Sequence, residues 1–187
     1  MTGRKILRCF LVCLGLAGAA SATVPAQARQ WNPDAHAASL DYTQIVHAKP
    51  NGEVVFLWWV VPETFQNDPN SQVIRDVLQR YVMVGIAHGH AGAGGSMSFD
   101  TIADLRVTDA TGRSLSPLPA NATPAEVAQA TSTLQMLARQ SLGPLGQGVR
   151  WFVFDGSTIH DCAPGKMSVP FAGETYTYDT PIPGCAK

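Results

Sequence analysis

Long apolar runs are nearly missing from this 187-residue sequence. A helix crossing a membrane needs about 20 apolar residues, and the longest such stretch, Cys9 to about Ala20, is roughly 12, the size of a signal-peptide core. Cysteine is scarce, with four in the chain, and no Cys-x-x-Cys pair marks a redox site. There is no excess of basic charge: 13 Lys/Arg stand against 14 Asp/Glu. There is no internal repeat, no G-x-S-x-G nucleophile elbow, no P-loop and no dinucleotide-binding glycine pattern. These absences exclude a membrane span and the commonest hydrolase and nucleotide-binding architectures.

The N-terminus is read as an export signal. Arg4, Lys5 and Arg8 precede the apolar run, and the first acidic residue is Asp34. Small-x-small cleavage sites follow at Ala26-Gln27-Ala28 and Ala20-Ser21-Ala22. The expectation is a signal peptide over residues 1–28 (alternatively ending after 22), a loosely ordered segment over 29–40, and a single globular domain over 41–187. The mature chain would be periplasmic or secreted. Loss of the three leader cations leaves ten Lys/Arg against fourteen Asp/Glu, a balance that argues against nucleic acid or an anionic membrane as partner. Cys9 and Cys13 leave with the leader. Cys162 and Cys185 remain, and an oxidising compartment makes a disulfide their default state. Closing that loop is worth roughly 3 kcal/mol in the chain-entropy treatment and pins the C-terminal tail.

Along the mature chain, Tyr42, Gln44 and Val46 alternate with Thr43, Ile45 and His47 as in a strand. Lys49-Pro50-Asn51-Gly52 is a turn. Val54 to Val61 is an unbroken apolar run in which Trp58 and Trp59 point to opposite faces, so this strand is central and covered on both sides. Asp68 and Pro69 suit a helix start, and Val73, Ile74, Val77, Leu78 and Tyr81 give its apolar stripe. Val82 to Ala87 reads as a buried strand. Met97 to Asp109 reads as a strand pair or one long bent strand. Thr123, Pro124 and Glu126 form a capping box for a second helix with Val127, Ala130, Leu134, Leu137 and Ser141 on one face. Gly143-Pro144 ends it. Further strands are expected at Val149–Phe154, Met167–Phe171 and Thr175–Tyr178. The fold class is α+β: a mainly antiparallel, sandwich-like sheet with two helices.

Two stretches, Trp58-Trp59-Val60-Val61-Pro62 and Leu142-Gly-Pro-Leu-Gly-Gln-Gly-Val-Arg-Trp-Phe-Val-Phe154, resemble segments of an uncharacterised family of exported bacterial proteins. The resemblance implies export and a shared fold, and carries no activity with it.

The most suggestive chemistry is His88-Gly89-His90. Imidazoles two apart on a strand share a face and can reach one Zn²⁺ or Cu²⁺ ion. His160, Asp161 or Met97 would complete such a site by residue type, His160 first. The bland reading is a solvated strand end. The glycine-rich tract Gly89–Ser96 reads as a hairpin connection rather than a phosphate cradle. Ser157, His160 and Asp161 supply the types of a hydrolase triad, but so close in sequence they rarely align. Glu63 with Asp68, or Asp100 with Asp104, are candidate acid–base pairs without a diagnostic setting. Trp58, Trp59, Trp151, Phe152 and Phe154 read as core before ligand platform, and Tyr176 and Tyr178 as candidates for a partner surface. The expectation is therefore a non-catalytic binding or accessory domain of the cell envelope. Its partner would be a protein or a small apolar ligand. A metal-binding protein and a small enzyme are the alternatives.

Overall fold

A computed structural model describes residues 28–31, 43–47, 52–65, 69–182 and 185, with the first two stretches as backbone alone. Its strands are β1 (Ala28–Trp31), β2 (Thr43–His47), β3 (Glu53–Val60), β4 (Tyr81–Ala91), β5 (Met97–Phe99), β6 (Val107–Thr108), β7 (Ser114–Leu115), β8 (Arg150–Asp155), β9 (Gly165–Phe171) and β10 (Glu174–Thr180). The helices are α1 (Gln72–Leu78), α2 (Ala125–Leu142) and the one-turn α3 (Pro144–Gln147). One five-stranded sheet runs β1-β10-β9-β6-β7; the other runs β2-β3-β4, with β5 and β8 sharing the far side of β4. All described pairings are antiparallel except β1 with β10.

The alternation of β3 explains the layering. Val55, Leu57 and Trp59 face the other sheet, where they meet Met167, Val169, Tyr176 and Tyr178 together with Val82, Val84 and Ile86 of β4. Val60, with Met83 and Val153, faces the helices and packs on Ile74, Val77 and Leu78 of α1 and Val127, Ala130 and Leu134 of α2. The order of layers is sheet, sheet, helices. The two indoles divide accordingly. Trp59 lies edge-on to Tyr178 at 5.5 Å, and Trp58 edge-on to Trp151 at 5.6 Å. An α+β sandwich with helices on one face accounts for the long apolar run that needs two partners.

Several local readings shift. Arg29, Gln30 and Trp31 of the stretch expected to be loosely ordered pair with β10, together with Ala28, the last residue of the expected leader; the leader up to residue 27 lies outside the described residues. Asp68 also lies outside them, and the residue capping α1 is Ser71. Val73 is exposed, because the buried arc of this two-turn helix holds only Ile74, Val77 and Leu78. The capping box at Thr123 does not form. Helix α2 begins one residue later, with Pro124 at the cap, and the Thr123 hydroxyl donates to the Pro119 carbonyl instead. Its buried stripe ends on Ala138, while Leu137 is half-buried and Ser141 exposed, as expected when the helix period of 3.6 drifts off a fixed spacing. The Met97–Asp109 stretch is neither a strand pair nor one strand: β5 joins one sheet and β6 the other. Tyr176 and Tyr178, expected near a partner surface, are both about 1 % exposed within the core between sheets. Cys162 and Cys185 form a disulfide with Cα atoms 5.3 Å apart. It ties the tail after β10 to the loop after β8, beside the Ile182 N–H bond to the Asp161 carbonyl.

Candidate metal centre

Strand β4 is longer than the apolar run implies, and its last residues leave the core. Val82, Val84 and Ile86 face the other sheet, and the same face continues with His88 and His90. Two neighbouring strands bring acids to that face. On β3, Glu53 stands opposite His90. On the other side, the Gly92–Ser96 hairpin sets Gly89 opposite Phe99 and His90 opposite Ser98. One step further puts Asp100 opposite His88, where its N–H donates to the His88 carbonyl at 2.9 Å. Residues directly opposite in an antiparallel pair share a face, so all four side chains converge. Two φ-positive glycines, Gly94 and Gly95, make the turn possible.

The geometry is tight. His88 Nδ1 is 2.8 Å from Asp100 Oδ2, and His90 Nε2 is 3.1 Å from the same oxygen. His88 Nε2 is 2.9 Å from Glu53 Oε1. The two imidazole rings are 5.2 Å apart, and the Phe171 ring stands edge-on to His88 at 5.7 Å. Burial falls outward: the side chains are 8 % exposed for Glu53, 18 % for His88, 40 % for His90 and 50 % for Asp100. A donor atom from each of His88, His90 and Asp100 lies within 4.8 Å of the others.

This set fits a small transition-metal ion. Bonds of about 2.0–2.2 Å in tetrahedral geometry separate neighbouring donors by roughly 3.3 Å, so the two histidine–carboxylate distances need to open by only a few tenths of an ångström. Nitrogen and carboxylate ligands suit Zn²⁺ or Cu²⁺. Glu53 holds the position of the carboxylate that accepts the second ring N–H of a ligating histidine, fixing the tautomer that turns Nδ1 toward the ion.

The other expected candidates lie elsewhere. His160 and Asp161 line a hollow with Tyr81 at the start of β4; at about 3.3 Å per residue, that is on the order of 20 Å from His88. His160 is therefore not the third ligand. Met97 opposes Ala91 and so points to the other face from His90. Asp100 and Asp104 do not act together, since Asp104 binds Arg106 at 3.0 Å. Asp155, not His160, accepts the Ser157 N–H, and no hydrogen bond joins the three residues of the would-be triad. Trp59 and Phe154 are fully buried and Trp58, Trp151 and Phe152 half-buried in the packed layers. A second cluster, Glu63 with Cys162 and Cys185, is no metal site because the disulfide consumes both thiolates. There, burial and the neighbouring Asp161 carboxylate push Glu63 up to about 7.

Sequence reasoning missed Asp100 and Glu53 as partners of the histidines. The signal for Asp100 was present: a hairpin centred on Gly94 pairs residues 88 and 100. Comparison with protein-family models, curated proteins and solved structures finds no match for this chain.

Proposed function

We propose that this protein is an exported, non-catalytic binding domain whose ligand is a divalent transition-metal ion, zinc before copper, held by His88, His90 and Asp100. The observation that carries the reading is the buried Glu53 carboxylate on the far nitrogen of His88. A solvated strand end has no need of it, whereas a ligating imidazole does. The disulfide and the leader-like N-terminus support export. No helix among the described residues is long and apolar enough to cross a membrane. Zinc's tetrahedral preference would leave a fourth position toward solvent.

The test is metal content and uptake, with the protein exported to a bacterial periplasm and purified without a histidine tag. Near-stoichiometric zinc or copper is expected, with loss in a His88→Ala/His90→Ala variant and in Asp100→Ala. A folded wild type that carries neither metal and takes up neither on titration removes the reading.

A further inference from the structure

Among the described residues, strand β8 is an edge. Its even-numbered residues bond to β4, as the register Phe154–Val82, Phe152–Val84 and Arg150–Ile86 and the Gly156 N–H bond to the Arg80 carbonyl show. The odd-numbered peptide groups therefore point away from the sheet. The Val153 carbonyl is taken by the Leu118 N–H at 2.7 Å. The Val153 N–H and both peptide groups of Trp151 have no protein partner among the described residues. Proteins ordinarily pair, cover or charge such an edge, because it is a template for another strand.

This edge lies at the bottom of a slot. Two adjoining hollows of about 650 and 670 Å³ meet at Trp151, Phe152, Thr131 and Ala103. Helix α2 forms one wall through Thr131 and Gln135; the segment crossing between sheets forms the other at Ile102 and Ala103. The ends differ in character. One holds Arg139 and Arg150, both exposed and with no carboxylate partner among the described residues. The other is mainly apolar, with Pro117, Leu118 and Pro119, and its one acid, Asp104, is paired with Arg106. The chain as a whole carries a slight negative charge, so this cationic end is a local feature.

We propose that the β8 edge is the docking slot for an extended segment of a partner protein. That segment adds as a strand on the two Trp151 peptide groups and the Val153 N–H, stopping short of Leu118, which keeps the Val153 carbonyl; it sets apolar side chains against Pro117–Pro119 and places a carboxylate between Arg139 and Arg150. Strand addition draws its affinity from main-chain bonds and its specificity from what flanks them; the arginine pair supplies the charge selection. The slot is separate from the metal centre and does not depend on it.

The test uses ¹⁵N-labelled full chain and a synthetic hexapeptide of alternating valine and threonine ending in two aspartates. A lysine-ended peptide and a backbone N-methylated copy of the acidic one serve as controls. The Trp151 and Val153 amides should exchange quickly in the free protein and become protected with the acidic peptide. The lysine-ended peptide should bind about tenfold more weakly or worse, and the N-methylated one should not bind. Arg139→Gln/Arg150→Gln should erase the difference between acidic and lysine ends while the fold, followed by circular dichroism, is unchanged. Three results overturn the proposal: no peptide perturbs those amides, binding survives N-methylation, or the amides are already protected in the free chain, which means that another part of this chain fills the slot.

Discussion

Replacing Glu53 separates a metal centre from a polar strand end more sharply than replacing either histidine, because Glu53 would never touch the ion. Its side chain is 8 % exposed and sits 2.9 Å from His88 Nε2. Glutamine keeps the shape and can still accept the N–H through its amide oxygen, but loses the charge. Alanine loses the acceptor as well and leaves a buried ring nitrogen without it. Removing a partner of this kind typically weakens metal binding 10–100-fold. Glu53→Gln is expected near the low end and Glu53→Ala near the high end, or about 1.4 and 2.7 kcal/mol in binding free energy. Competition with a chromophoric zinc chelator at neutral pH measures both, and the urea midpoint of the metal-free variants shows whether the fold is intact. Equal zinc affinity for wild type, Gln and Ala, with His88→Ala still abolishing binding, would refute the role assigned to Glu53. The order Gln weaker than Ala would refute the electrostatic argument itself.

Two further outcomes concern the scaffold, and one the metal. Folded Glu63 holds its proton to about pH 7, whereas its ordinary value is 4.5. A raised carboxyl stabilises fully below the unfolded value and loses that contribution as pH rises toward 7. The whole shift would correspond to roughly 3 kcal/mol. Solvent screening of this half-exposed group reduces that to about 1–2 kcal/mol. Urea titrations of the wild type should therefore show stability falling between pH 4.5 and 7, and Glu63→Gln should flatten the slope; identical profiles would remove the argument. Gly146→Ala sets a Cβ 2.1 Å from the Ala138 carbonyl oxygen, so α3 must lift from α2 at a cost of about 1–3 kcal/mol, read as a lower urea midpoint with an unchanged slope. Zinc affinity, if the centre binds as proposed, should weaken as pH drops, because protons compete for both imidazoles and the carboxylate; isothermal titration at a series of pH values follows it directly.

Much of this molecule is local. The β9–β10 hairpin around Gly173, the end of α2 at Gly143 and the Cys162–Cys185 bond each follow from residues near one another or from the pairing of the two cysteines outside the leader-like segment. Two-sided burial of β3 was also legible, because adjacent tryptophans on a strand cannot share a cover. Local signals erred where tertiary packing had a vote. Thr123 met Pro119 before it could cap α2, and Tyr176 and Tyr178 turned inward because β9 and β10 close the sandwich over Trp59.

The candidate site divides in the same way. The period of two along a strand placed His88 and His90 on one face, and nothing beyond the sequence was needed for that. The choice of Asp100 and Glu53 over His160 depended on register. A strand's neighbours are set by which edges pair across the whole sheet, and a one-residue slip would turn either acid to the opposite face. The slot beside β8 is more remote still from the sequence. An unpaired edge is defined by the strand that does not come, and only the assembled layers reveal that, among the described residues, α2 and the crossing segment flank Trp151 and no second strand pairs with it.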